Sequence, residues 1–227
     1  MIYKDIAIME EQMIIAKHIS KSYGRQMVLS DINFSVAAGE SAVIMGRNGI
    51  GKSTLLTILA GFLRPDSGSV VCSEKTIAFC PQEDNLFEEL SIRDNLKFWS
   101  AVCGGSNALS RHFAYILGVE AFASKKISQL STGMKKCAAL CCALCGDPGV
   151  LILDEPFAGL DIFHKNALIA AFGQLKAEGM CILYSSHAID EIIGLDSQIY
   201  TLANATLSHF NAKASGIDIL EPLLARI

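Results

Sequence analysis

Proline-rich spacers, internal repeats, low-complexity tracts and long apolar runs are all missing from this chain of 227 residues. Its five prolines are scattered, so no stiff linker is expected, and the length suits one large domain. The longest apolar run, 137–145, falls well short of the ~20 residues that cross a bilayer as a helix. A basic excess is missing too. Lys and Arg total 19 against 23 Asp and Glu, a net charge of −4, whereas a general nucleic-acid binder carries a basic surface. No nucleic-acid partner is expected. The first dozen residues are broken by charge and lack the apolar stretch and cleavage site of a signal peptide. The eight cysteines are therefore expected as thiols in a reducing cytosol. Cys142 and Cys145 form a CxxC, with Cys137 and Cys141 beside them, but no second CxxC completes a metal or cluster set. Among Ala and Leu, these four read as small core residues on a buried helix.

What is present is core material and an alternating pattern. Hydrophobic residues make up 51% of the chain and charged residues 19%, which excludes disorder on composition. Strand-like runs fall at 13–16, 41–45, 76–80, 150–153, 181–185 and 198–202, with helical patterns between several of them, as at 53–60 and 163–179. Strands alternating with helices predict an α/β fold with a mostly parallel sheet covered on both faces. The stretch from about 84 to 130 is different. It has few β-branched runs and several helical patterns, including 92–102, and reads as a helical insertion between two halves of the sheet. One domain over 13–227 follows, with 1–12 as a short extension and Met13 an alternative start.

The strongest motif is Gly46-Arg47-Asn48-Gly49-Ile50-Gly51-Lys52-Ser53, which fits GxxxxGK[ST] between an apolar strand and a helix. The glycines let consecutive N–H groups turn toward an anion, and the following helix adds its positive end. Lys52 is expected to reach the β and γ phosphates of a nucleotide, and the Ser53 hydroxyl to ligate Mg²⁺. The second motif is the apolar run 150–153 ending in Asp154-Glu155-Pro156. Acids ending a buried strand project at the carboxyl edge of the sheet, where an α/β fold places its ligand. Asp154 suits Mg²⁺. Glu155 suits a general base that polarises the attacking water. The acids Glu83, Asp84, Glu88 and Glu89 read as a solvated face.

With these residues stated, the chain resembles the ATP-binding subunits of ABC transporters from residue 13 to about 207. Tyr23 matches the aromatic on which adenine stacks, and the loop from Gly46 through Lys52, Ser53 and Thr54 matches the phosphate loop. Gln82 matches the glutamine that senses Mg²⁺ and water. Leu130-Ser131-Thr132-Gly133-Met134 matches the signature, usually Leu-Ser-Gly-Gly-Gln, and Asp161 lies in the loop that runs between the two sites of a dimer. His187 matches the histidine at the γ-phosphate. The resemblance implies a P-loop NTPase fold of the ABC type with an N-terminal antiparallel β portion. It implies ATP and Mg²⁺ as ligands and a head-to-tail homodimer or pseudo-dimer with a second ATPase subunit. Ser131 and Gly133 would then serve the ATP of the opposite subunit. It also implies a separate integral membrane permease, through which an otherwise cytoplasmic protein would sit peripherally on the inner face of the membrane. Thr132 and Met134 depart from the usual signature. With Lys135 and Lys136 after it, this form is similar to ATPases paired with ABC-2-type permeases, many of them exporters. The alternative reading of the same motifs is a soluble, non-transport ABC ATPase acting in assembly of a cofactor or complex.

Overall fold

The computed structural model describes residues 12–73, 76–83, 85–187 and 195–210. Two sheets organise them. Strands β1 (Gln12–Tyr23), β2 (Gln26–Ala37) and β4 (Ser67–Cys72) form a three-stranded antiparallel sheet in the order β2-β1-β4. Strands β3 (Ser41–Met45), β5 (Ile77–Cys80), β6 (Val150–Leu153), β7 (Cys181–Ser186), β8 (Gln198–Ala203) and β9 (Thr206–Phe210) form the second, in the order β5-β6-β7-β3-β8-β9. The first five in that order run parallel, and β9 returns antiparallel to β8.

Every residue of β3, β6 and β7 is buried, as expected for short apolar strands covered on both faces. Alternation of side chains divides them between two cores. Val43, Met45, Leu151, Leu153, Ile182 and Tyr184 face one core. It is completed by Cys137, Ala138, Leu140 and Cys141 of α4 (Thr132–Ala143) and by Leu168, Ala171, Phe172 and Leu175 of α5 (Ile162–Ala177). Ala42, Ile44, Val150, Ile152, Cys181 and Leu183 face the other, with Leu55, Leu56, Ile58 and Leu59 of α1 (Lys52–Leu59) and the inner residues of β1 and β2. The four clustered cysteines are core residues as expected: Cys137, Cys141, Cys142 and Cys145 are all buried. Burial pushes the Cys137 thiol up to about 11 and raises Cys141 and Cys142 further. Among the described residues no group of three or more His, Cys, Asp or Glu is placed to hold a metal ion.

Strand β1 is much longer than the 13–16 run predicts. His18 adopts φ +55° and the register shifts between Ala16 and Ile19, so a bulge breaks the two-residue period that marks a strand in sequence. Between β5 and β6 the chain is helical. It forms α2 (Ile92–Cys103), α3 (Ala108–Ile116), two short 3-10 turns and then α4. Ser91 caps α2 by accepting the Asp94 N–H, and Ser131 caps α4 by accepting the Met134 N–H. Glu83, Glu88 and Glu89 are exposed as expected of a solvated face, and there Glu88 pairs with Lys135 at 2.7 Å and Glu89 with Lys126 at 3.1 Å. Asp84 lies outside the described residues, as do residues 1–11 of the expected extension. Among the described residues no helix is long and apolar enough to cross a membrane.

Candidate functional site

The carboxyl ends of β3, β5, β6 and β7 lie side by side, and each ends in one of the motifs. After β3 the chain turns through residues 46–51 into α1. Two glycines make that turn possible. A Cβ on Gly46 would meet the Leu202 carbonyl oxygen at 2.7 Å, and one on Gly51, which has φ +119°, would meet Val28 Cγ1 at 2.6 Å. No side chain caps α1, so its first N–H groups are left for an anion. Lys52, only 5% exposed, donates to the Gly46 carbonyl at 2.9 Å and the Arg47 carbonyl at 3.3 Å.

Asp154 and Glu155 follow β6. Asp154 is buried, and its N–H donates to the Cys80 carbonyl at 2.9 Å, which ties the end of β6 to the end of β5 just before Gln82. Glu155 has φ +48°, and this left-handed turn brings its Oε1 to 3.5 Å from Lys52 Nζ and 3.6 Å from His187 Nδ1. From α4, Lys136 donates to the Gln82 carbonyl at 2.7 Å. A cleft of about 430 Å³ opens above these groups, lined by Tyr23, Gly49, Lys52, Ser53, Gln82 and Glu155 among others. Asn48, Gly51 and Thr54 also line it, while exposed Arg47 and half-buried Ile50 belong to the same turn without reaching the cleft wall. Tyr23 is 52% exposed, with Lys21 Nζ 5.8 Å above its ring.

The structure thus brings Tyr23, the glycine loop, Gln82 and Glu155 to one cleft; His187 reaches it only through Glu155, and Asp154 is buried beside Glu155 without lining it. Leu130, Ser131, Thr132, Gly133, Met134 and Asp161 do not line this cleft. They form a second locus where α4 and α5 begin. Asp161 caps α5 by accepting the Phe163 and His164 N–H groups at 2.9 and 3.0 Å, and its other oxygen bonds the His164 ring at 2.6 Å. The His164 N–H and imidazole together hold the Asp161 carboxyl below its usual range. The same ring lies against the backbone of Gly133, where a Cβ would meet His164 Cγ at 2.5 Å.

Comparison with known proteins identifies the arrangement. Residues 29–158 match the ABC transporter family. The chain belongs to that family. This ABC-type chain is 30% identical to the linearmycin resistance ATP-binding protein LnrL of Bacillus subtilis, over 92% of this chain and 74% of that one. It is 32% identical to the Nod factor export ATP-binding protein I of Mesorhizobium japonicum, over 76% of this chain and 55% of that one. It therefore spans between about half and three quarters of these relatives' own length. A solved ATP-binding subunit of an ABC transporter superposes with a TM-score of 0.80 at 27% identity, covering 89% of this chain and 91% of that one. The ABC-type chain is an ATP-binding, ATP-hydrolysing subunit of a transporter.

Two residues of these loci carry no motif. Ser185 joins Asp154 to Glu155, and the only sequence signal for it is a hydroxyl pair ending an otherwise apolar strand. His164 joins Asp161 to Gly133, across more than thirty residues, and nothing in the pattern of α5 points to it.

Proposed function

We propose that this ABC ATPase drives a membrane exporter, as one half of a head-to-tail dimer on the inner face of the membrane, with the transport path on a separate permease. The observation that carries the reading is the convergence of Lys52 and His187 on one oxygen of Glu155, at the wall of a cleft also lined by the glycine loop and Gln82. One ATPase domain over 13–227 with a helical insertion at about 84–130 fits this reading. The name of one of the first relatives, Nod factor export, supports export.

In this mechanism ATP lies in the cleft with adenine on Tyr23. Its phosphates rest against the N–H groups of the loop from Gly46 to Thr54, and Lys52 neutralises the β and γ charges. The Ser53 hydroxyl, the Gln82 amide and the Asp154 carboxylate are hard oxygen donors of the kind Mg²⁺ takes, so the residues present fit that ion. Those three residues would hold the ion, whose charge would offset that of the phosphates. Glu155 orients the attacking water and accepts its proton, while His187 holds the γ-phosphate. Ser131 and Gly133 of a second chain close the site from the other side, presenting the free N–H groups at the start of α4. Asp161 lies near them, joined through the His164 ring that packs against Gly133.

The permease contact is assigned to the stretch after Gln82. Phe87 and Phe98 stack edge to face at 4.7 Å, with Trp99 5.4 Å beyond, and Phe87 and Phe98 remain 44% and 41% exposed. Behind them lies an apolar cavity of about 190 Å³ walled by Phe79, Leu86 and Trp99. Exposed aromatics over an apolar hollow favour a protein partner. The test is Phe87→Asp in the full chain, followed by pull-down from detergent-solubilised membranes of the native cell. ATP hydrolysis is expected to persist and co-purification of a multi-spanning protein to be lost. Capture of soluble partners alone by the parent chain would favour the assembly-factor reading instead.

A further inference from the structure

Ser185 stands at the buried end of β7 and is 0% exposed. Leu153 pairs with Tyr184 across β6 and β7, so Ser185 is the next residue outward and lies level with Asp154. Its hydroxyl does two things. It donates to Asp154 Oδ1 at 2.6 Å, and its oxygen accepts the Glu155 N–H at 2.8 Å. On its other side Ser185 pairs with Ile44 of β3, the strand that leads into the glycine loop. The hydroxyl is therefore held by the central strand and holds both acids.

We infer that Ser185 is a positioning residue of the ATPase site, its hydroxyl fixing the rotation of the Asp154 carboxylate and, through the Glu155 amide, the direction in which Glu155 leaves the strand. A hydroxyl is suited to this because it donates one hydrogen bond and accepts others from a single small group. Glu155 needs such a restraint. Its φ of +48° is a left-handed conformation that a residue with a side chain keeps only when its surroundings impose it. Without the bond from Ser185, the Glu155 N–H loses its partner in a half-buried turn, and an extended backbone there carries the carboxylate away from Lys52 and His187. Asp154 in turn loses the donor that orients it. Groups that orient a metal ligand or a base in this way control activity without touching the substrate. The inference rests on the reading of Asp154 as the cation acid and Glu155 as the general base.

The experiment compares Ser185→Ala, Ser185→Thr and Ser185→Cys in the full chain, beside Glu155→Gln. In Ser185→Ala, kcat is expected to fall about 10- to 100-fold, the usual loss for a group behind a ligand. ATP affinity without Mg²⁺ should not change. Mg²⁺ should add less to ATP affinity than it does in the parent. Amide exchange supplies a readout independent of turnover, with the Glu155 N–H protected in the parent and unprotected in Ser185→Ala. Ser185→Thr keeps the hydroxyl and is expected to restore all three. If Ser185→Ala does not fold by thermal melting, Ser185→Cys carries the measurement, since it preserves shape and weakens the hydrogen bonds. Parental kcat, parental Mg²⁺ dependence and a protected Glu155 amide without the hydroxyl would overturn the inference. So would an equal loss in Ser185→Ala and Ser185→Thr. Parental turnover in Glu155→Gln would overturn the role of Glu155, and the Glu155 amide and Mg²⁺ readouts would still judge Ser185.

Discussion

The ammonium of Lys52 lies 3.5 Å from Oε1 of Glu155, and the two side chains are only 5% and 11% exposed. One residue opens α1 and the other follows β6. Their contact spans the gap between the phosphate loop and the acid that would polarise water. Lys52 is held in place by the Gly46 and Arg47 carbonyls, so its charge is aimed at the cleft wall and not at bulk solvent.

Lys52→Ala removes that charge. Hydrogen bonds to charged groups contribute about 1.5–3 kcal/mol each, so ATP affinity is expected to fall about 10- to 100-fold. Equilibrium titration with a fluorescent ATP analogue measures it, and parental affinity would remove Lys52 from the phosphate site.

Glu155→Gln keeps the shape of the side chain and removes the base. Mg²⁺-ATP is expected to bind while hydrolysis drops by about 10²–10⁴-fold, the range for a lost general base. Uncleaved ATP should then trap a dimer, visible by size-exclusion chromatography with ATP and absent in the parent chain. Hydrolysis at the parental rate would exclude Glu155 as the base.

The signature locus is tested separately. Ser131→Arg is expected to abolish turnover and leave ATP affinity in the monomer nearly intact, because Ser131 is assigned to the opposite site. Met134→Gln restores the usual signature residue and should be tolerated or mildly activating. An active Ser131→Arg would exclude the head-to-tail dimer.

Gly133→Ala tests the packing of the same locus. The new Cβ would lie 2.5–2.8 Å from the His164 ring, an overpacking expected to lower stability by about 1–3 kcal/mol. His164→Ala in the same chain should recover most of the loss. Urea denaturation reads both, and an unchanged midpoint in Gly133→Ala alone would show that the ring gives way freely.

Thiol labelling tests the core. Cys103 is exposed, whereas Cys137, Cys141, Cys142 and Cys181 are buried. Burial raises Cys137 to about 11 and Cys181 to about 12, so neither carries appreciable thiolate near neutral pH. Iodoacetamide on the native chain at pH 8 is expected to modify Cys103 first and spare those four. Peptide mapping that found Cys141 or Cys142 labelled at the rate of Cys103 would contradict the packing of α4.

Everything legible in advance was local in sequence. The glycine loop, the acids after 150–153 and the apolar strands are each contiguous, so their spacing alone carries their chemistry. Parallel strands covered on both faces made the carboxyl edge predictable, and with it the place of Asp154 and Glu155 near the glycine loop, whereas Gln82 and His187 were expected there only through the family resemblance. The second half of β1 was not legible, because the bulge at His18 breaks the period on which a strand is recognised. Nor were the partners of Glu88 and Glu89, which depend on where α4 and the turn before it come to rest. The bond from Ser185 to Asp154 crosses 31 positions, and the contact of His164 with Gly133 crosses a comparable distance. Contacts of that kind have no periodicity and no motif. They exist only once β6 lies beside β7 and α4 beside α5, because a hydroxyl or an imidazole finds its partner through packing and not through its neighbours in the chain.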